Sequence, residues 1–428
     1  MRRLGMIVWD VIFLASIFEM IQTQIPSDPS QPGNFSVAQI SVTINNPANG
    51  HSLATTIYYP SSSGAVDPSS SPYPTLVFSH GFQSSVSNYT GNATHLASWG
   101  YIVAVPSFSD GWSGDNLTPR VSDIRAVLSY LESENVNTGS IFYQRIDPNR
   151  FGTAGHSLGG AASLAVAGED NRIKAVIALD PASGATSPFA RVAGIRAGAA
   201  ATGYQTIVAP ALIIGTPASS CNGNAEYNSM YDDTGAEHKS KQVIANGSHC
   251  DFMDTSDTTF RNLCYAFCGG SFDQQRLDLA KKLTAAWLNY YLQLRSDYFT
   301  YIYGSQLTGD VQSGKIITST FQTAPRGFAA TSSIGAINLS WTLSSYPVIT
   351  GYNVYRSIQS GNFPPSPFVQ TGRQAFYLDN NVSNGQRYYY LLRSRDASGN
   401  EHQPSIEVSA IPLDPAGASF IYLPFISR

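Results

Sequence analysis

The sequence predicts a chain in two parts: an α/β domain on a buried, mostly parallel sheet, then a small all-β sandwich. Three observations carry that reading. Between Thr75 and Ala245, short apolar runs alternate with stretches of helical spacing. Strands apolar on both faces belong to sheets covered by helices on both sides. A Gly-x-Ser-x-Gly turn, Gly155 to Gly159, joins one such strand to a helix of small residues, Ala161 to Ala167. From about Ala324 to Pro412 the helical period stops, and short alternating segments separated by turn residues take over, the pattern of a sandwich. The length of 428 residues also exceeds one typical domain.

Taken in order, the chain opens with Met1-Arg2-Arg3, an apolar run from Leu4 to Phe18, and a Pro/Ser/Gln-rich stretch to Gly33. This has the form of a signal peptide, so export is expected. Asp10 interrupts the run and Glu19 follows it, and it is too short for a membrane span; a retained N-terminal anchor is the minor alternative, and no stable membrane partner is expected. Strands are predicted at Ala38–Ile44, Leu53–Tyr59, Thr75–Ser79, Ile102–Pro106, Arg150–Ala154, Ala175–Leu179, Ala211–Gly215 and Gln242–Ala245. Helices are predicted at Ser122–Glu132 and Gln274–Leu294. The domain organisation is then 1–33 signal peptide and linker, 34–308 catalytic domain, 309–323 linker, 324–413 β sandwich and 414–428 tail. Sandwich strands are expected at Ala336–Thr342, Gly351–Ser357, Ala375–Asp379, Arg387–Ser394 and Ile406–Ile411, around Trp341 and Tyr352. The apolar tail Phe420–Ile426 has no assigned role.

Composition narrows the function. Hydrophobic residues make up 43 % and charged residues 13 %, with a net charge of −4. No basic patch is present, which argues against nucleic acid as a partner. The four cysteines, Cys221, Cys250, Cys264 and Cys268, suggest two disulfides in an exported chain, with three pairings open. A zinc site is the weaker reading because no C-x-x-C pair is present. No metal and no organic cofactor are expected.

The chemistry centres on Ser157. A serine hydroxyl is a poor nucleophile and needs a base, which in turn needs an orienting acid. In Phe151-Gly-Thr-Ala-Gly-His-Ser-Leu-Gly-Gly160, small residues let strand and helix pack closely enough to lift the hydroxyl above the sheet. Chain order Ser, acid, His excludes His51, His80, His95 and His156, and His402 lies in the β domain. His249 follows directly after a strand, unlike His238, and is the candidate base. The loop after Gly215 offers no aspartate, and Glu226 is its nearest acid. Strand Ala175–Leu179 instead ends in Asp180-Pro181, making Asp180 the candidate acid. Backbone N–H groups of Leu158 and Phe82 are the candidate oxyanion donors. His80 is expected to brace that loop, and Asp110 and Trp112 to line the pocket.

The stretches "LVFSHGFQSSVSNYTGNATHLASWGYIVAVPSFSD", "GHSLGG", "ALDPASG", "ALIIGTPASSCN" and "GSHCDFMD" together resemble the chlorophyllase and platelet-activating-factor acetylhydrolase branch of α/β hydrolases. The resemblance spans roughly residues 38 to 295. It implies an α/β-hydrolase fold, an acid after the strand carrying the "DP" motif, and hydrolysis of carboxylic esters through an acyl-enzyme. Leu158 stands where the chlorophyllase elbow usually carries Arg, so the reaction is better indicated than the substrate. The segment ending "YYYLLRSRDASGNEHQPSIEVSAIP" resembles a fibronectin type III domain. The expected activity is a secreted carboxylesterase or lipase acting on a small-molecule or polymeric ester, with the β domain as a spacer or surface-binding module. A polyester depolymerase, an amidase or peptidase on the same triad, and a non-catalytic exported binding protein are the alternatives.

Overall fold

The computed structural model describes residues 27–111, 115–183 and 203–414. The segment read as a signal peptide (to residue 26), Trp112 and the tail from Pro415 lie outside the described residues.

Ten strands form one sheet in the order β1-β2-β5-β4-β6-β7-β8-β9-β10, with the short β3 (Ala65–Val66) paired to β2. Its centre is six parallel strands: β5 (Ile102–Pro106), β4 (Tyr73–Ser79), β6 (Ile146–His156), β7 (Ile173–Leu179), β8 (Ala211–Gly215) and β9 (Lys239–Ile244). Every residue of β4, β5 and β8 is buried, as expected of strands covered on both faces. β1 (Val37–Asn45) and β2 (Ser52–Ser62) close one edge antiparallel. β5 and β8 have the bounds read from sequence; β6 and β9 begin several residues earlier than their apolar runs.

Helices cover both faces. Helix α1 (Thr90–Ser98) and the helix Gln274–Tyr291 pack on one face, with Trp287 fully buried. Helices α2 (Leu117–Val136) and α3 (Leu158–Glu169) pack on the other. Because the central strands are parallel, the segments after β4, β6, β7, β8 and β9 leave the sheet at one edge. Among the described residues no helix is long and apolar enough to cross a membrane.

One boundary departs from the sequence reading. Ile316–Gln322, within the stretch read as a linker, is β10, and it pairs antiparallel with β9 to close the sheet. Only Ile316 of its seven residues is buried. Backbone hydrogen bonds to β9 hold this exposed edge strand, and Thr318-Ser319-Thr320 break its apolar run, so it lacks the continuous apolar signature of the central strands.

The C-terminal part is a β sandwich. A three-stranded sheet has the order β11 (Ala329–Ser333), β12 (Ala336–Ser340), β15 (Phe376–Asp379); a four-stranded sheet has the order β14 (Val369–Thr371), β13 (Ile349–Ser357), β16 (Tyr388–Asp396), β17 (Val408–Ala410). β11 and β14, short and polar, escaped the sequence pattern. Trp341 and Tyr352 meet in its core with ring centroids 5.3 Å apart. Polar and aromatic groups join the sandwich to the α/β domain. The Tyr346 hydroxyl donates to Val208 O at 2.9 Å, and Tyr290 donates to Asp396 at 3.1 Å.

Candidate active site

The site is built where β6 turns into α3. Ser157 sits at that turn with φ +57°, a backbone region that costs an L-residue energy and persists only where its surroundings enforce it. The enforcement is close packing: a Cβ on Gly159 would lie 2.1 Å from Ser79 O, and one on Gly155 would lie 2.4 Å from Gly159 O. Glycine is therefore required on both sides of the serine. The Ser157 N–H donates to Leu179 O at 3.0 Å, tying the turn to the next strand.

Three side chains from three strand ends meet there. Ser157 Oγ lies 2.9 Å from His249 Nε2, and His249 Nδ1 lies 2.5 Å from Asp180 Oδ2. Asp180 is fully buried and His249 nearly so. The second carboxylate oxygen accepts from the Thr216 N–H and the Asn222 amide, both at 3.2 Å. The arrangement can therefore pass a proton from the serine hydroxyl to imidazole while a buried carboxylate fixes the ring. Glu226, the other acid near the β8 loop, is turned to Ser183, accepting from its N–H at 2.8 Å and its hydroxyl at 2.6 Å.

Two disulfides from one helix anchor the residues next to His249 and next to Asn222. The disulfides are Cys221–Cys268 and Cys250–Cys264, which resolves the pairing and leaves no thiolate for zinc. Cys264 and Cys268 lie one turn apart on the helix Thr258–Cys268. Cys250 is next to His249, and Cys221 is next to Asn222, the donor to Asp180. The turn carrying His249 is further fixed by Asp251, which accepts from the Ser248 N–H at 2.8 Å, Tyr265 Oη at 2.6 Å and Arg276 Nε at 2.6 Å.

The side of the candidate oxyanion donors, Leu158 and Phe82, is held differently. Leu158 opens α3, so its N–H has no acceptor inside the helix. The loop from His80 to Gln83 follows β4. His80 Nδ1 lies 2.7 Å from Gly81 O, and His80 Nε2 accepts the Phe108 N–H at 3.0 Å. These partners define a neutral tautomer with the proton on Nδ1. Burial, aided by the Arg120 charge, lowers the His80 pKa to about 4, so His80 braces the loop as expected. Tyr89 Oη accepts the Gly81 N–H at 3.1 Å and lies 2.7 Å from His156 Nδ1. Burial, reinforced by the neighbouring His249, keeps His156 well below the usual histidine range.

Asp110 corrects the sequence reading. Its side chain is 3 % exposed and, among the described residues, faces Arg120 and the Gln83 N–H behind the loop and lines no pocket. An aspartate after a strand at the catalytic edge looked like a pocket residue, because its partner Arg120 lies ten positions on and only folding brings them together. The sequence reading also missed Tyr89, Asn222, Asp251 and Arg276, which act through space and carry no local motif.

Known proteins match the chain in two ways, as short partial likenesses and as a family. Amylopullulanases are similar over short stretches: that of Thermoanaerobacterium saccharolyticum is 35 % identical over 125 residues, covering 27 % of this chain and 10 % of that protein. That of Thermoanaerobacter thermohydrosulfuricus is 34 % identical over 114 residues, covering 26 % and 8 %. The chain thus spans a tenth or less of these relatives. The PET hydrolase-like (PETase) family model matches residues 27–269, more than half of the chain, and the chain belongs to that family of α/β hydrolases.

Proposed function

We propose that this protein is a secreted serine hydrolase of carboxylic esters that works through an acyl-enzyme. The observation that carries the reading is the continuous relay from Ser157 through His249 to Asp180, with Ser157 raised on a strained elbow. His249 takes the proton as Ser157 Oγ attacks the acyl carbon. Asp180 holds the imidazole and balances its charge, and the Leu158 and Phe82 N–H groups receive the oxyanion. The leaving alcohol takes the proton from His249, and water, deprotonated by the same base, then releases the acid.

Membership of a PET hydrolase-like family favours a polyester presented at a surface over a small soluble ester. The sandwich would act as a spacer or surface-contact module. Its resemblance to a fibronectin type III domain supports a modular role. The test compares wild type with Ser157→Ala on p-nitrophenyl esters from two to sixteen carbons and on a polyester film. Wild-type turnover on both, lost in the variant, is expected. Turnover of short esters alone would remove the polymer reading, and no turnover would remove the esterase reading.

A further inference from the structure

The oxyanion loop is gripped from behind by one buried ion pair. Arg120, on α2, is 1 % exposed and ranks with the largest fully buried side chains. Its guanidinium donates from Nε to Asp110 Oδ1 at 2.8 Å and from Nη2 to Asp110 Oδ2 at 2.5 Å. It also donates from Nη1 to His80 O at 2.5 Å and from Nη2 to Gly81 O at 3.2 Å. Asp110 Oδ2 in turn accepts the Gln83 N–H at 2.9 Å, and the Gln83 side chain returns to Asp110 O at 2.9 Å. The pair therefore holds the carbonyl just before Phe82 and the N–H just after it.

A trans peptide points its C=O and the following N–H in opposite directions. With Gly81 O turned back to Arg120 and His80, the Phe82 N–H of the same peptide must point forward. We propose that Arg120, buttressed by Asp110, is a positioning residue that aims the Phe82 N–H at the acyl oxygen on Ser157. A cation behind the Gly81 carbonyl also polarises that peptide and strengthens its N–H as a donor. Fold stability alone gives a weak account of the pair, because a buried ion pair is often matched or bettered by apolar residues of similar volume. The bonds to both flanks of one residue are what a stabilising pair would not need.

The proposal rests on the ester-hydrolase reading, and its test separates the two. Wild type, Ser157→Ala, Arg120→Met, Arg120→Lys and Asp110→Asn are compared on p-nitrophenyl butyrate and for inhibition by an alkylboronic acid. The boronic acid forms a tetrahedral adduct on Ser157 and places an oxygen in the oxyanion site. Losing one oxyanion donor costs about 100- to 1000-fold in kcat. Arg120→Met is therefore expected to lose about 100-fold in kcat and a similar factor in boronic acid affinity, with KM little changed. Arg120→Lys keeps the charge without the fork and should fall between, and Asp110→Asn should lose about 10-fold. If Arg120→Met does not fold, the Lys and Asn variants decide. Folded variants with wild-type kcat and boronic acid affinity would overturn the proposal, as would a kcat loss without a matching affinity loss. A wild type inactive on every ester would instead overturn the hydrolase reading.

Discussion

The two sides of the proposed catalytic centre are held by opposite means. On the His249 and Asp180 side, disulfides from a single helix reach Cys250, next to His249, and Cys221, next to the Asn222 that donates to Asp180. On the oxyanion side, the His80–Gln83 loop depends on hydrogen bonds to Arg120, Asp110, Tyr89 and its own His80. The difference follows from where each segment starts. The oxyanion loop lies beside central strands, between helices that can surround it. His249 follows β9, near the edge of the sheet, where less protein surrounds a loop and cross-links take over.

The largest effects test the relay that both sides serve. Ser157→Ala and His249→Ala should each lower kcat by about 10⁶-fold, and Asp180→Asn by about 10⁴-fold. Steady-state kinetics on a p-nitrophenyl ester measures both. A His249→Ala enzyme within tenfold of wild type would break the account of the covalent side.

Next come the cross-links. Removing Cys250–Cys264 (sequence separation 14) should cost about 3 kcal/mol, and removing Cys221–Cys268 (separation 47) about 4 kcal/mol, by loop-closure entropy. Denaturant unfolding of the paired Cys→Ser variants checks the order. If the bonds also position, variants still folded at low temperature should lose kcat while KM changes little. Asn222→Ala should lower kcat by about 10-fold, because a buried carboxylate loses a donor.

How much of this was legible in the sequence depends on whether the signal was local. Ser157 was readable because strand, glycine turn and small-residue helix are contiguous. Asp180 and His249 were readable because each directly follows an apolar strand. β10 was not, since Thr318-Ser319-Thr320 split its apolar residues and an exposed edge strand is held by its backbone. Arg120 was not, since its partners His80, Gly81 and Asp110 lie ten to forty residues away and carry no spacing rule. The cysteine count announced two bridges, yet pairing needed the fold to place Cys264 and Cys268 on one helix face.

The smallest effect is a pH dependence of stability spread over three buried histidines. Burial lowers the pKa of His80 and His95 to about 4 and that of His402 to about 3. With folded values below the unfolded 6.5, the unfolded chain binds more protons as pH falls from 6.5 toward 4, so stability declines across that window. Thermal unfolding between pH 7.5 and 4 should show Tm falling with acid. His402→Gln should flatten the slope in part. A Tm unchanged across the window would contradict the buried neutral histidines. Mild reductant at pH 7.5, by contrast, should act on the disulfide side alone.

The most direct test of the central claim is a rapid-quench burst with p-nitrophenyl acetate, followed by mass analysis of the trapped protein. The account predicts a burst of one p-nitrophenol per active site and an acetyl group on the peptide carrying Ser157, both absent in Ser157→Ala. A burst that survives in the variant, or an acetyl group on another residue, would contradict it.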